Sequence, residues 1–294
     1  MVSSLLGAPL GADEWLASDS AEPALLVAGV PMALASLGPS ETWRAPAAIR
    51  AALRRLPACD REVGIDLRDL PVSDLGDWDV AGLGPDDGPG VVERHAREMA
   101  GGPPACFIGG DEAVLAPLVT GLAGGAFGDV GVLTVGAHTA PRPEPGWAIA
   151  EVIRRGVAPG RVMQVGIHAT GEVGAPPGID IEIVTMGALD EVGAGWVVTS
   201  SLNDLAETCR WVFVGIDVGA LDLAYAPGCR GARPGGMTPR QLAAASRAAG
   251  AHRVVRAADL VGVDPASDPS GLTVMNAATA LLAFAAGVAM RKAV

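Results

Sequence analysis

Val130-Gly-Val-Leu-Thr-Val135, running into Gly136-Ala137-His138, decides how the fold is read. The run is apolar and β-branched without polar alternation, and it stops at a glycine with a histidine just beyond. A strand covered on one face alternates apolar and polar residues. A strand covered on both faces reads as a continuous apolar run, as in a parallel sheet between helices. Runs of the same kind recur at Ala24–Val30, Ala105–Ile108, Val162–Ile167, Trp211–Ile216 and Arg253–Ala257, with shorter candidates at 65–67, 72–75 and 181–184. Between them lie helical stretches at Pro46–Leu56, Val91–Met99, Glu112–Leu122, Trp147–Arg155, Leu202–Cys209 and Thr238–Ala249. Strand–helix alternation along the whole chain predicts a three-layer α/β/α domain with a mainly parallel central sheet. No linker, repeat or charge run divides it, so residues 1–294 are expected to form one domain.

Composition narrows the function. The 294 residues carry 21 Lys+Arg against 33 Asp+Glu, a formal net charge of −12. A protein that neutralises nucleic-acid phosphates wants a basic face, so nucleic acid is an unexpected partner. The N-terminus lacks a basic segment before its apolar residues, which predicts a cytoplasmic protein without a signal peptide. Leu272 to Met290 is apolar but built mostly of alanine and interrupted by Asn276. A spanning helix wants about 20 strongly apolar residues, so this stretch is expected in the core rather than in a membrane. Cys59, Cys106, Cys209 and Cys229 form no C-x-x-C pair and read as unpaired thiols.

Ligands of doubly covered sheets bind beyond the carboxyl ends of the strands, so the residues there are the ones to inspect. Gly109-Gly110-Asp111-Glu112 follows one strand, and His138 follows another. His168 follows Val165-Gly-Ile167. Asp217 and Asp222 follow Trp211–Ile216. Asp259 and Asp264 follow the strand near Val255. Gly228-Cys-Arg-Gly-Ala-Arg-Pro-Gly-Gly236 is a glycine loop carrying Arg230 and Arg233, which could clamp an anionic substrate. Each residue alone has an ordinary reading as a cap, a core histidine or a solvated loop. Their convergence on one sheet edge points to a site.

These residues resemble the ureohydrolases, the arginase, agmatinase and formiminoglutamase superfamily. The resemblance spans roughly Val27 to Ala289. Phe107-Ile-Gly-Gly-Asp-Glu112 is similar to the family's "GGDH", Val135-Gly-Ala-His-Thr-Ala140 to "DAHxD", Gly215-Ile-Asp-Val-Gly-Ala-Leu-Asp222 to "SxDxDxxDP", and Asp74-Leu-Gly-Asp77 to "DxGD". Pro227 to Thr238 is similar to its proline-glycine loop. The resemblance implies the arginase-like fold. In the family these motifs hold two manganese ions bridged by a hydroxide that attacks a guanidinium carbon.

The sequence departs from that pattern at most ligand positions. Glu112 stands for the histidine of "GGDH". Gly136 and Ala140 stand for the aspartates of "DAHxD", Gly219 for the second aspartate of "DxD", and Gly262 for a late acid; Gly146-Trp147 stands where the family has a substrate-side histidine. Glu112, His138 and Asp217 remain. The leading expectation is therefore a repurposed, metal-independent enzyme with no cofactor. Glu112, His138 and Asp217 would perform acid/base chemistry (elimination, isomerisation or cyclisation, in specialised biosynthesis), and His168, Asp222, Arg230 and Arg233 would bind a small-molecule substrate. Two alternatives stay open. One is a C–N hydrolase using a single Mn or Zn held by the same three residues. The other is a non-catalytic relative that binds a ligand or an active partner. The resemblance also implies a homo-oligomer.

Overall fold

The computed structural model describes residues 11–36, 38–138, 148–168 and 181–291. Ten strands are present among them: β1 (Leu25–Val30), β2 (Cys59–Asp60), β3 (Ile65–Asp66), β4 (Val72–Asp77), β5 (Ala105–Gly109), β6 (Val130–Val135), β7 (Val162–Ile167), β8 (Glu182–Thr185), β9 (Trp211–Asp217) and β10 (Val255–Val261). Eight form one sheet in the order β4-β1-β5-β10-β9-β6-β7-β8, and β2 and β3 pair in a small antiparallel ribbon. Every pairing in the large sheet is parallel. This is the α/β architecture expected from the continuous apolar runs.

Side chains alternate between two cores, and both are apolar. From β5, Cys106 and Ile108 face one core while Ala105 and Phe107 face the other. From β9, Val212, Val214 and Ile216 enter the first and Phe213 the second. The first core is covered by helices Ala45–Leu53, Ala194–Ala206, Pro239–Ala251 and Leu272–Met290, which contribute Ile49, Val198, Leu242 and Leu281. The second is covered by Gly88–Glu98, Leu115–Ala123 and Ala148–Arg155, through Val92, Leu118 and Val152. Leu272–Met290 is long and apolar enough to cross a membrane, but most of it is buried inside the fold, as expected of a core helix. All four cysteines are free thiols.

Two boundaries differ from the sequence reading in ways that matter. Ala194–Ala206 begins eight residues before the predicted Leu202. Gly195 and the β-branched Val197, Val198 and Thr199 disfavour helix locally, yet burial of Val197, Val198, Leu202 and Leu205 outweighs that preference. Strand β10 runs on to Val261 rather than stopping at Ala257. Asp259 therefore lies within a buried strand, not beyond its end. A charged residue type reads as a strand terminus in sequence. Here the surrounding strands enclose it.

Helices Pro239–Ala251 and Leu272–Met290 pack backbone to backbone at glycines. A Cβ at Gly250 would collide with the carbonyl of Phe284, and one at Gly287 with the carbonyl of Arg247. Both obstacles are main-chain atoms that cannot rotate away. Gly287→Ala is expected to destabilise the fold by about 1–3 kcal/mol through overpacking, despite alanine's better helix propensity. Urea unfolding monitored by tryptophan fluorescence reads this. A midpoint equal to or above that of the unaltered protein would show the helices can separate freely.

Candidate active site

In a parallel sheet all carboxyl ends lie on one edge, and five adjacent strands supply the residues here. Along the edge, β5 leads to Glu112, β10 to Asp264, β9 ends at Asp217, β6 leads to His138 and β7 to His168. These residues are up to 152 positions apart in sequence and reach one edge through strand order alone.

After β5 the chain makes a short turn over Glu112–Val114, capped by the Asp111 carboxylate, which accepts the Ala113 N–H. Glu112 is exposed at the mouth. Asp111 is buried, and its second oxygen accepts the Ala35 N–H at 2.7 Å and the Ser36 hydroxyl at 2.8 Å. It thus fastens the loop that follows β1 to the site. By sequence Asp111 reads as an ordinary helix cap at this strand end. The signal that could have found it is its place between two glycines and Glu112 at a strand end.

His138 is half-buried, with Nε2 at 2.6 Å from the Gly231 carbonyl. A carbonyl only accepts, so the neutral ring carries its proton on Nε2, and Nδ1 holds the basic lone pair. The Asp217 carboxylate accepts the Gly219 N–H at 2.8 Å. Burial pushes its pKa up, opposed by that hydrogen bond and by the nearby His138. His168 is also half-buried: Nδ1 lies 2.8 Å from the Gly166 carbonyl, and Nε2 is buried with no partner among the described residues.

The glycine loop places its charged residues unequally. Asp222 accepts the Ala224 N–H at 2.8 Å and the Gly235 N–H at 2.7 Å, closing the loop on itself. Those two bonds hold its pKa below the usual carboxylate value. Arg233 turns back, donating to the carbonyls of Arg230 and Ala232 at 3.0 Å each. Arg230 reaches outward instead, with its Nε 3.8 Å from the buried Asp264. Ala140, Gly146 and Trp147 lie outside the described residues.

A model of the Arginase family matches residues 24–287. The chain belongs to the arginase family. It is 26% identical over 277 residues to a formimidoylglutamase of Halalkalibacterium halodurans, covering 88% of this chain and 85% of that protein. Among solved structures, formimidoylglutamase of Bacillus subtilis superposes with a TM-score of 0.86 at 22% identity, covering 98% of this chain and 96% of that one. Trypanosoma cruzi formiminoglutamase with Mn2+2 superposes with a TM-score of 0.80 at 18% identity, covering 97% and 100%.

These findings correct two expectations. Proteins similar to this arginase-family chain over most of their length are named as formimidoylglutamases, which are hydrolases, rather than as enzymes of elimination, isomerisation or cyclisation or as non-catalytic subunits. Against the expectations of no cofactor, or of a single Mn or Zn, stands the structural relative from Trypanosoma cruzi, which is named with Mn2+2.

The donors this chain offers can be tested against a manganese pair. Among the described residues, no three His, Cys, Asp or Glu side chains group to hold a metal. The Asp217 carboxylate occupies the space that side chains at the two glycine positions would need. A Cβ at Gly262 would collide with its Oδ1, and one at Gly219 would lie 2.9 Å from its Oδ2. The described residues therefore do not fit the family's dinuclear centre.

Asp259 lies beneath this edge. One oxygen accepts the Ile216 N–H at 3.2 Å, and the other is buried without a partner. Burial, with the charge of Asp217 adding, raises its pKa to about 8. In the unfolded chain it titrates near 4. Between roughly pH 4 and 8 the folded state thus binds the extra proton, and stability falls as pH rises. Asp259→Asn should remove up to about 1.4 kcal/mol per pH unit of that decline. Denaturant unfolding of both proteins at pH 5 and pH 8 checks it. Parallel pH dependence in the two would mean Asp259 is ionised throughout.

Proposed function

We propose that this chain hydrolyses a C–N bond of a formimidoyl or guanidino group on a small molecule. The observation that carries this reading is the arginase-family match across residues 24–287, joined to the likeness to a formimidoylglutamase over 88% of this chain and 85% of that protein. The polar groups at the sheet edge are consistent with it. Such hydrolysis adds a water oxygen to a trigonal carbon, removes a proton from that water, and delivers a proton to the departing nitrogen.

His138 is suited to the proton steps. Its Nδ1 accepts a proton while Nε2 stays anchored to the Gly231 carbonyl. Asp217, close enough for its charge to be felt at His138, stabilises the imidazolium that results. Glu112 contributes negative charge at the mouth, where an amidinium or guanidinium group would enter. Asp111 acts one step removed, as a positioning residue that ties Ala35 and Ser36 to the β5 end.

Purified protein incubated with N-formimidoyl-glutamate and with guanidino acids, each with and without added Mn2+, tests the proposal through release of formamide or urea. Release is expected from at least one substrate. His138→Ala is expected to lower it at least about 100-fold, the scale of a lost general acid–base group. No release above background in either metal condition would overturn the proposed hydrolysis.

A further inference from the structure

Arg230 and Arg233 sit three residues apart on one loop, yet their guanidinium groups are committed differently. Arg233 spends its Nη1 on two loop carbonyls. Arg230 makes no hydrogen bond among the described residues, and its side chain is 43% exposed. It is nevertheless held in place. Its Nε faces Asp264 across 3.8 Å, and its Nη1 passes over Gly38 in the loop after β1, 3.9 Å from where a Cβ would stand.

Asp264 anchors Arg230 by charge without consuming its donors. The Asp264 oxygens already accept the Glu41 N–H, the Ala266 N–H and the Ser267 hydroxyl. Glu41, the other acid on that loop, is paired with Arg44 at 2.6 Å. The loop thus presents an oriented guanidinium whose planar fork is hydrogen-bonded by none of the described residues. The residue after Arg230 supplies the carbonyl that holds His138. A molecule bound at His138 and Asp217 therefore lies beside the loop segment that carries Arg230.

We infer that Arg230 is the specificity-determining residue of this site and that it selects substrates ending in a carboxylate over those ending in an amine. A carboxylate matches the fork of the guanidinium with two parallel hydrogen bonds, whereas an ammonium would meet like charge. This inference rests on the hydrolase reading for the identity of the reacting group, but not for the binding itself.

Calorimetric titration of the full chain with γ-guanidinobutyrate and with agmatine compares two ligands that share a guanidino head and differ in the charge of the tail. The carboxylate ligand is expected to bind at least about tenfold more tightly. Arg230→Gln is expected to abolish that preference, and Arg230→Lys to retain part of it, since lysine keeps the charge and loses the fork. Circular dichroism of both variants establishes folding, and the lysine variant decides the matter if the glutamine variant misfolds. Equal affinity for the two ligands, a preference for agmatine, binding of neither, or a preference unchanged in a folded Arg230 variant would each overturn the inference. Carboxylate-selective binding through Arg230 without any turnover would sink the hydrolase reading alone. Turnover with no carboxylate preference would sink this inference alone.

Discussion

The parallel direction of all eight strands is the constraint on which the rest of the molecule depends. It requires a helical or long crossover after each strand, so both faces are covered and the strands must be apolar throughout. It also delivers every strand's carboxyl end to one edge. Glu112, His138, His168, Asp217 and Asp264 arrive there from five adjacent strands, although the chain visits those strands out of spatial order. The site is a consequence of strand order more than of any local motif.

At the centre of that edge, main-chain geometry and one carboxylate compete for space. Gly262 adopts φ +88°, a region that L side chains avoid, and its neighbouring volume is filled by Asp217. Asp217 in turn is held by the Gly219 N–H. Its position places its charge near His138 and adds to the upward push that burial gives the Asp259 pKa beneath it. The same crowding sets this chain's donor set apart from the family's ligand pattern while leaving the fold intact.

Membership in the arginase family and the proposed hydrolysis belong to different levels. The family follows from a match over nearly the whole chain. The chemistry depends on a few groups whose partners are set by packing, and there the loop from 222 to 236 is instructive. Asp222 is taken up by backbone N–H groups and Arg233 by carbonyls, so both serve the loop's own shape. Arg230, on the same loop, faces the mouth. Residue type alone does not separate these roles.

The sequence by itself determined the three-layer fold and the family. Burial on both faces leaves its mark residue by residue, as in Val130–Val135, and the glycine-bounded strand ends are local patterns. It also exposed Glu112, His138, His168 and Asp217 as edge residues, because each directly ends or follows an apolar run. The tertiary structure alone decided that Asp259 lies inside β10 with a raised pKa, that Asp111 and Asp264 fasten the loop after β1, and that Arg233 rather than Arg230 gives its donors to the loop's own carbonyls. Those outcomes come from contacts between segments far apart in the chain, such as Asp111 with Ser36 and Glu41 with Asp264. No periodicity or spacing records such contacts, since they exist only once the sheet has brought the segments together.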